Sequence, residues 1–97
     1  MSKRIDKSWI VFSSIENAEH DRCVDFFYRP DLTFGFEEFR RDVEDAGDWT
    51  PTQYYSGRVF ADGASVFAEA ERLIAWCADE LRARPGLRKD PLRNADQ

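Results

Sequence analysis

Two short aromatic runs flank a Pro-Asp pair in the first half of this chain, and that arrangement constrains the fold more than any other feature. Arg22-Cys23-Val24-Asp25-Phe26-Phe27-Tyr28 precedes Arg29-Pro30-Asp31-Leu32-Thr33, and Thr33-Phe34-Gly35-Phe36-Glu37-Glu38-Phe39 follows. Pro sets φ for the first central position of a type I turn, and Asp suits the second. Aromatic and β-branched residues bounded by turn residues read as strands. The pattern predicts a hairpin with Val24, Phe26 and Tyr28 on one side of its first strand and Cys23, Asp25 and Phe27 on the other.

The rest of the chain is read around that hairpin. Ser8-Trp9-Ile10-Val11-Phe12-Ser13 reads as an earlier strand, apolar on both faces, which predicts a central or well-covered place in the sheet. Arg40 to Pro51 reads as the longest loop. Gln53 to Phe60 reads as a fourth strand, kinked or bulged at Gly57. A helix is expected from about Ser65 to about Arg82, with Asp62 or Ser65 capping its first turn. Val66, Ala70, Leu73, Cys77 and Leu81 recur at spacings of three and four and form one apolar stripe. Pro85 and Gly86 end it. The fold class is therefore α+β: an antiparallel meander of about four strands, then one C-terminal amphipathic helix packed on one sheet face. The expected division is a polar N-terminal end (1–7), one domain (8–82) and a flexible basic tail (83–97).

With 97 residues, the chain has the length of one domain. All eight Phe, three Trp and three Tyr fall between Trp9 and Trp76. The charge is uneven. The segment 1–7 has a net charge of +2 and 82–97 one of +3, so 8–81, with 6 basic and 16 acidic groups, carries −10 of the overall −5. An acidic body repels a phosphate backbone, which argues against nucleic acid as a partner. The polar start Met-Ser-Lys-Arg lacks the features of a signal peptide, and no apolar run approaches the ~20 residues of a spanning helix. Cys23 and Cys77 cannot build a disulfide framework. These features predict a cytoplasmic protein with two buried thiols and no membrane contact.

Motifs for chemistry are sparse. His20, the one histidine, lies in a polar loop between Glu19 and Asp21 and reads as solvated. Two distant cysteines fall short of the four ligands of structural zinc. Glu37, Glu38, Asp42, Glu44, Asp45 and Asp48 cluster, but without the spacing of a calcium loop, and Arg40 and Arg41 offset part of their charge. The five glycines are isolated and form no phosphate-cradling loop. The expectation is no catalytic residue, no metal site and no cofactor.

The aromatic surplus is what invites a functional reading. Trp9, Phe26 and Tyr28 are read onto one set of faces, and Phe12, Phe27, Phe34 and Phe36 onto the other. Tyr54 and Tyr55 point to opposite sides. One helix covers one face, so aromatic surface is expected to stay open on the other unless loop 40–52, with Trp49 folded back, covers it. Open apolar patches mark interfaces, and Trp, Tyr and Arg anchor them. The candidate interaction surface is Trp9, Phe26, Tyr28, Trp49, Tyr54, Tyr55 and Arg58.

Cys23 to Asp31, Phe34 to Asp42, Trp49 and Tyr55-Ser56-Gly57 together resemble a group of short uncharacterised bacterial proteins. The resemblance covers about half of the chain, with Leu32 standing where a turn more naturally takes Gly. It implies a whole small bacterial protein and no particular activity. The functional expectation is a non-enzymatic domain that self-associates or binds a protein partner through an aromatic sheet face. The alternative is a nucleic-acid-binding module that uses sheet aromatics and the basic tail. A third reading, a small enzyme or ligand carrier, would need a pocket between helix and sheet.

Overall fold

A computed structural model describes residues 6–41, 49–52 and 55–88. Four strands, β1 (Ile10–Glu16), β2 (Arg22–Tyr28), β3 (Phe34–Arg41) and β4 (Trp49–Pro51), form one antiparallel sheet in sequence order. Two helices follow, α1 (Gly63–Leu73) and α2 (Ala75–Ala83), then a 3-10 turn, Pro85–Leu87. The architecture is a four-stranded antiparallel meander plus two helices.

The β2–β3 hairpin forms where the Pro-Asp turn places it. Leu32 N–H donates to Arg29 O at 2.8 Å, and the Asp31 carboxylate accepts from both N–H and Oγ1 of Thr33. Those two bonds hold the Asp31 carboxyl below its ordinary pKa. Leu32 takes the left-handed conformation, φ 68°, which favours glycine. Cross-strand partners share a face, so the pairs Val24–Glu38, Phe26–Phe36 and Tyr28–Phe34 lie on one side of the sheet. Cys23–Phe39, Asp25–Glu37 and Phe27–Gly35 lie on the other.

The Phe26 side carries the main core. Ile15, Val24, Phe26, Phe34 and Phe36 form one buried cluster with Val66, Phe67, Ala70, Ile74, Cys77 and Leu81. Phe67 packs on Phe26 with ring centroids 4.3 Å apart, and Phe12 meets Phe34 edge-on at 5.7 Å. The helical stripe expected from spacing is thus the buried one. The Asp62 carboxylate caps α1 by accepting from Ser65 N–H at 2.8 Å.

Three expectations are corrected. β1 is an edge strand, not a central one, because a meander leaves its first strand at the border. The fourth strand lies at Trp49–Pro51, inside the stretch read as loop, and Pro51 is tolerated there because an edge strand needs no ladder donor on its outer side. Gln53 and Tyr54 lie outside the described residues, while Tyr55 to Arg58 closes a turn and Phe60 makes only an isolated bridge to Phe34. The single helix is two, broken at Ile74, whose φ of −125° and ψ of 99° are extended. No Pro or Gly stands at the break, and β-branched Ile74, itself buried, suits an extended backbone. The 3-10 turn after α2 also makes contacts. Leu87 packs against the core, its carbonyl accepts from Ser13 Oγ at 2.9 Å, and Arg88 pairs with Glu71 at 2.6 Å.

Both cysteines are thiols with buried side chains, Cys23 in the sheet and Cys77 in α2. Burial, with Glu71 adding to it, pushes the Cys77 thiol up to about 12. Among the described residues, no helix is long and apolar enough to cross a membrane.

Candidate interaction surface

The seven residues singled out in the sequence do not share one open face. Phe26 is fully buried under Phe67. Tyr28 is half-buried on the same side, and Tyr55 stacks on Phe36 at 5.0 Å. Trp9 lies on the opposite side, stacked on Phe27 at 4.8 Å and 14°. Trp49 is opposite Arg41 in register, with the guanidinium 4.4 Å over its ring. Tyr54 lies outside the described residues. Arg58 is exposed and pairs with Glu69 at 3.2 Å.

The division of faces differs from the one expected from the sequence in two ways: Phe34 and Phe36 oppose Tyr28 and Phe26 and so share their side, not the Phe27 side, and β1 carries a bulge. Its register with β2 shifts between Val11 and Ser13, so Phe12 and Ser13 both fall on the Phe26 side. Val11 and Trp9 fall on the Phe27 side with Ser14 and Glu16. Phe26, Phe27, Phe34, Phe36 and Phe39 are all buried. Those five rings are closed off from a partner or a base, while Trp9, Phe12, Tyr28, Trp49, Tyr55 and Phe60 are half-buried.

What stays open is the border of the sheet. The exposed large apolar residues are Ile10, Val11, Leu32 and Val59, at 52%, 40%, 58% and 65%. They gather at one end: Ile10 opposes Tyr28, Tyr28 opposes Phe34, Phe34 bridges Phe60 beside Val59, and Leu32 sits in the intervening turn. β1 is the border strand there, and Trp9 to Ile15 contains no charged residue. Natural edge strands are commonly guarded by charge, Pro or a bulge; this one has only the bulge.

Polar chemistry collects at two places. A cleft of about 390 Å³ runs beside the far end of β1, lined by Ser14, Glu16 and His20 on one side and Glu80 and Arg84 on the other. His20 Nδ1 lies 2.7 Å from Glu16 Oε1, and Arg84 Nη2 donates to Glu80 Oε1 at 2.7 Å. His20 is exposed, and its Nδ1 contact is with the Glu16 carboxylate.

The second place is the Phe27 face. Asp25 and Glu37 face each other there, both buried. Asp25 Oδ1 accepts from Ser14 Oγ at 2.7 Å, and Glu37 Oε1 accepts from Glu38 N–H at 3.0 Å and Thr52 Oγ1 at 3.2 Å. Among the described residues, Glu37 Oε2 meets no donor. Glu38 projects the other way, and its Oε2 accepts a hydrogen bond from Trp76 Nε1–H at 3.0 Å. Asp42 to Asp48, the rest of the acidic cluster, lie outside the described residues. Among the described residues, no group of three or more His, Cys, Asp or Glu side chains gathers as a metal site.

Arg29 was not singled out in the sequence. Its Nη1 donates to Phe34 O and Thr33 Oγ1, and its Nη2 to Ser56 O and Arg58 O at 2.9 and 3.0 Å. Both carbonyls belong to the turned segment that Arg58 N–H closes on Tyr55 O. Desolvation pulls the Arg29 pKa below its ordinary value, against the pull of Asp31. The only sequence signal is Gly35 opposite Phe27: a Cβ there would meet Arg29 Nη2 at 2.7 Å.

Fold and surface together define a small α+β meander whose border strand is bulged and uncharged from Ile10 to Ile15. No family model, no curated protein and no solved structure matches the chain.

Proposed function

We propose that this chain is a non-enzymatic interaction domain that self-associates through the β1 border and the apolar end of the sheet. Residues of both helices join the core on the Phe26 side, and Phe27 and Phe39 on the other side are buried with Trp9 and Trp49 half-buried, which favours the edge of the sheet over a face as the contact surface. The observation that carries the reading is the border strand itself: seven residues long, uncharged from Trp9 to Ile15, with Ile10 and Val11 exposed. Unpaired N–H and C=O groups along such an edge are a template for a further strand. A strand-sized contact is small, so association on the order of micromolar is expected.

The alternative reading, nucleic-acid binding, finds less support, because base stacking needs open rings and the body carries net negative charge. The test is mass in solution against concentration, by light scattering, for the natural chain and for Val11→Lys. Concentration-dependent dimerisation, lost in Val11→Lys, supports the reading. A strict monomer overturns it.

A further inference from the structure

Resting on that reading, we infer that β1 pairs antiparallel with β1 of a second copy about a two-fold axis between Phe12 and Ser13. In a two-fold antiparallel pair the axis stands perpendicular to the sheet, so directly opposed residues must lie on the same face. The bulge makes this condition selective. Ile10, Phe12, Ser13 and Ile15 lie on the Phe26 side, and Trp9, Val11, Ser14 and Glu16 on the Phe27 side. An axis on Phe12 would oppose Val11 to Ser13, across faces. An axis on Ser13 would oppose Phe12 to Ser14, again across faces. An axis between the two residues opposes Phe12 to Ser13, Val11 to Ser14, Ile10 to Ile15 and Trp9 to Glu16, and every pair matches. The irregularity then falls on the axis in both copies and leaves a regular ladder on each side.

Two further features agree with that register. Exposed Ile10 and Val11 both fall inside the paired stretch, which accounts for apolar side chains on an open border. Lys7 precedes β1 and Glu16 closes it, beside the cleft that holds Glu16 and Glu80, so an antiparallel pair brings the Lys7 end of one copy toward the Glu16 end of the other. Lys7 lies in the turn that Trp9 N–H closes on Asp6 O just before β1, and its long side chain starts on the Glu16 end of the second copy in this register. Both are accessible in the single chain. Positive start thus meets negative end, twice, by symmetry.

Charge reversal tests the register. Lys7→Glu and Glu16→Lys are each expected to weaken dimerisation roughly tenfold, and the double variant, which restores both contacts, is expected to recover most of the loss. Circular dichroism checks that each variant keeps its fold. A dimer indifferent to both reversals, or a double variant weaker than either single one, overturns this register and leaves self-association standing. A natural chain that stays monomeric overturns both.

Discussion

The guanidinium of Arg29 lies 4.5 Å over the ring of Trp9 and joins the β2–β3 hairpin to the segment 56–58. One side chain thereby ties three chain segments by stacking and by carbonyl capture. Lysine cannot reproduce the fork, since its point charge reaches fewer carbonyls at once. Arg29→Ala is expected to lower unfolding stability by about 2–4 kcal/mol, the sum of charged hydrogen bonds and a cation–π contact. Arg29→Lys is expected to recover less than half of that. Urea denaturation of the three proteins measures it, and an Arg29→Lys variant as stable as the natural chain would contradict the role.

Gly35 exists to let Arg29 lie flat. A Cβ at that position would stand 2.7 Å from Arg29 Nη2 and 2.8 Å from the Phe27 ring. Neither neighbour has room to retreat, because Phe27 is buried and Arg29 is held by four bonds. Gly35→Ala is expected to destabilise by about 1–3 kcal/mol, the usual range for overpacking. In an Arg29→Ala background the penalty should shrink, and a double-mutant cycle reads that coupling.

Leu32 holds a left-handed conformation in the hairpin turn and is exposed. Leu32→Gly relieves steric strain and gives back some chain entropy, for a net stabilisation of about 0.5–1 kcal/mol. The midpoint of thermal unfolding should rise. A fall would show that the side chain packs on something in solution, and the apolar end of the sheet is where that partner would sit.

The hairpin and the helical stripe were legible because each depends on a local signal. Pro30-Asp31 sets the turn, and residues from Val66 to Leu81 repeat at helical spacing. The bulge between Val11 and Ser13 has no such signal. Nothing in Trp9-Ile10-Val11-Phe12-Ser13 distinguishes an unbroken alternation from a shifted one, and that single slip moved Trp9 and Phe12 to the wrong faces. β4 was hidden for a different reason. Gln53 to Phe60 has the better strand composition, but Arg29 takes the Ser56 and Arg58 carbonyls, a contact between residues 27 or more apart. The surface was read onto the aromatics, yet large rings contribute most when buried, and the open apolar residues are the smaller Ile10, Val11, Leu32 and Val59.

Cys77 sits buried in α2, its thiol pushed up from an ordinary 9.0 to about 12. The folded protein therefore keeps a proton that the unfolded chain loses above 9.0. Linkage gives the sign: this contribution is fully present below that pH and is lost progressively as pH rises toward 12. Cys77→Ala should remove that alkaline slope, although it leaves a small cavity of its own. In the native state the thiol should also resist alkylation until the chain unfolds. Rapid native labelling at Cys77, identified by mass spectrometry, would contradict its burial.

Hydrogen exchange along β1 reports directly on whether the border of the sheet is a contact surface. If second copies add there, protection at backbone amides between Ile10 and Glu16 will increase as the protein is concentrated, while amides in β2 and β3 stay unchanged. Protection of β1 that is the same in dilute and concentrated samples would contradict the account.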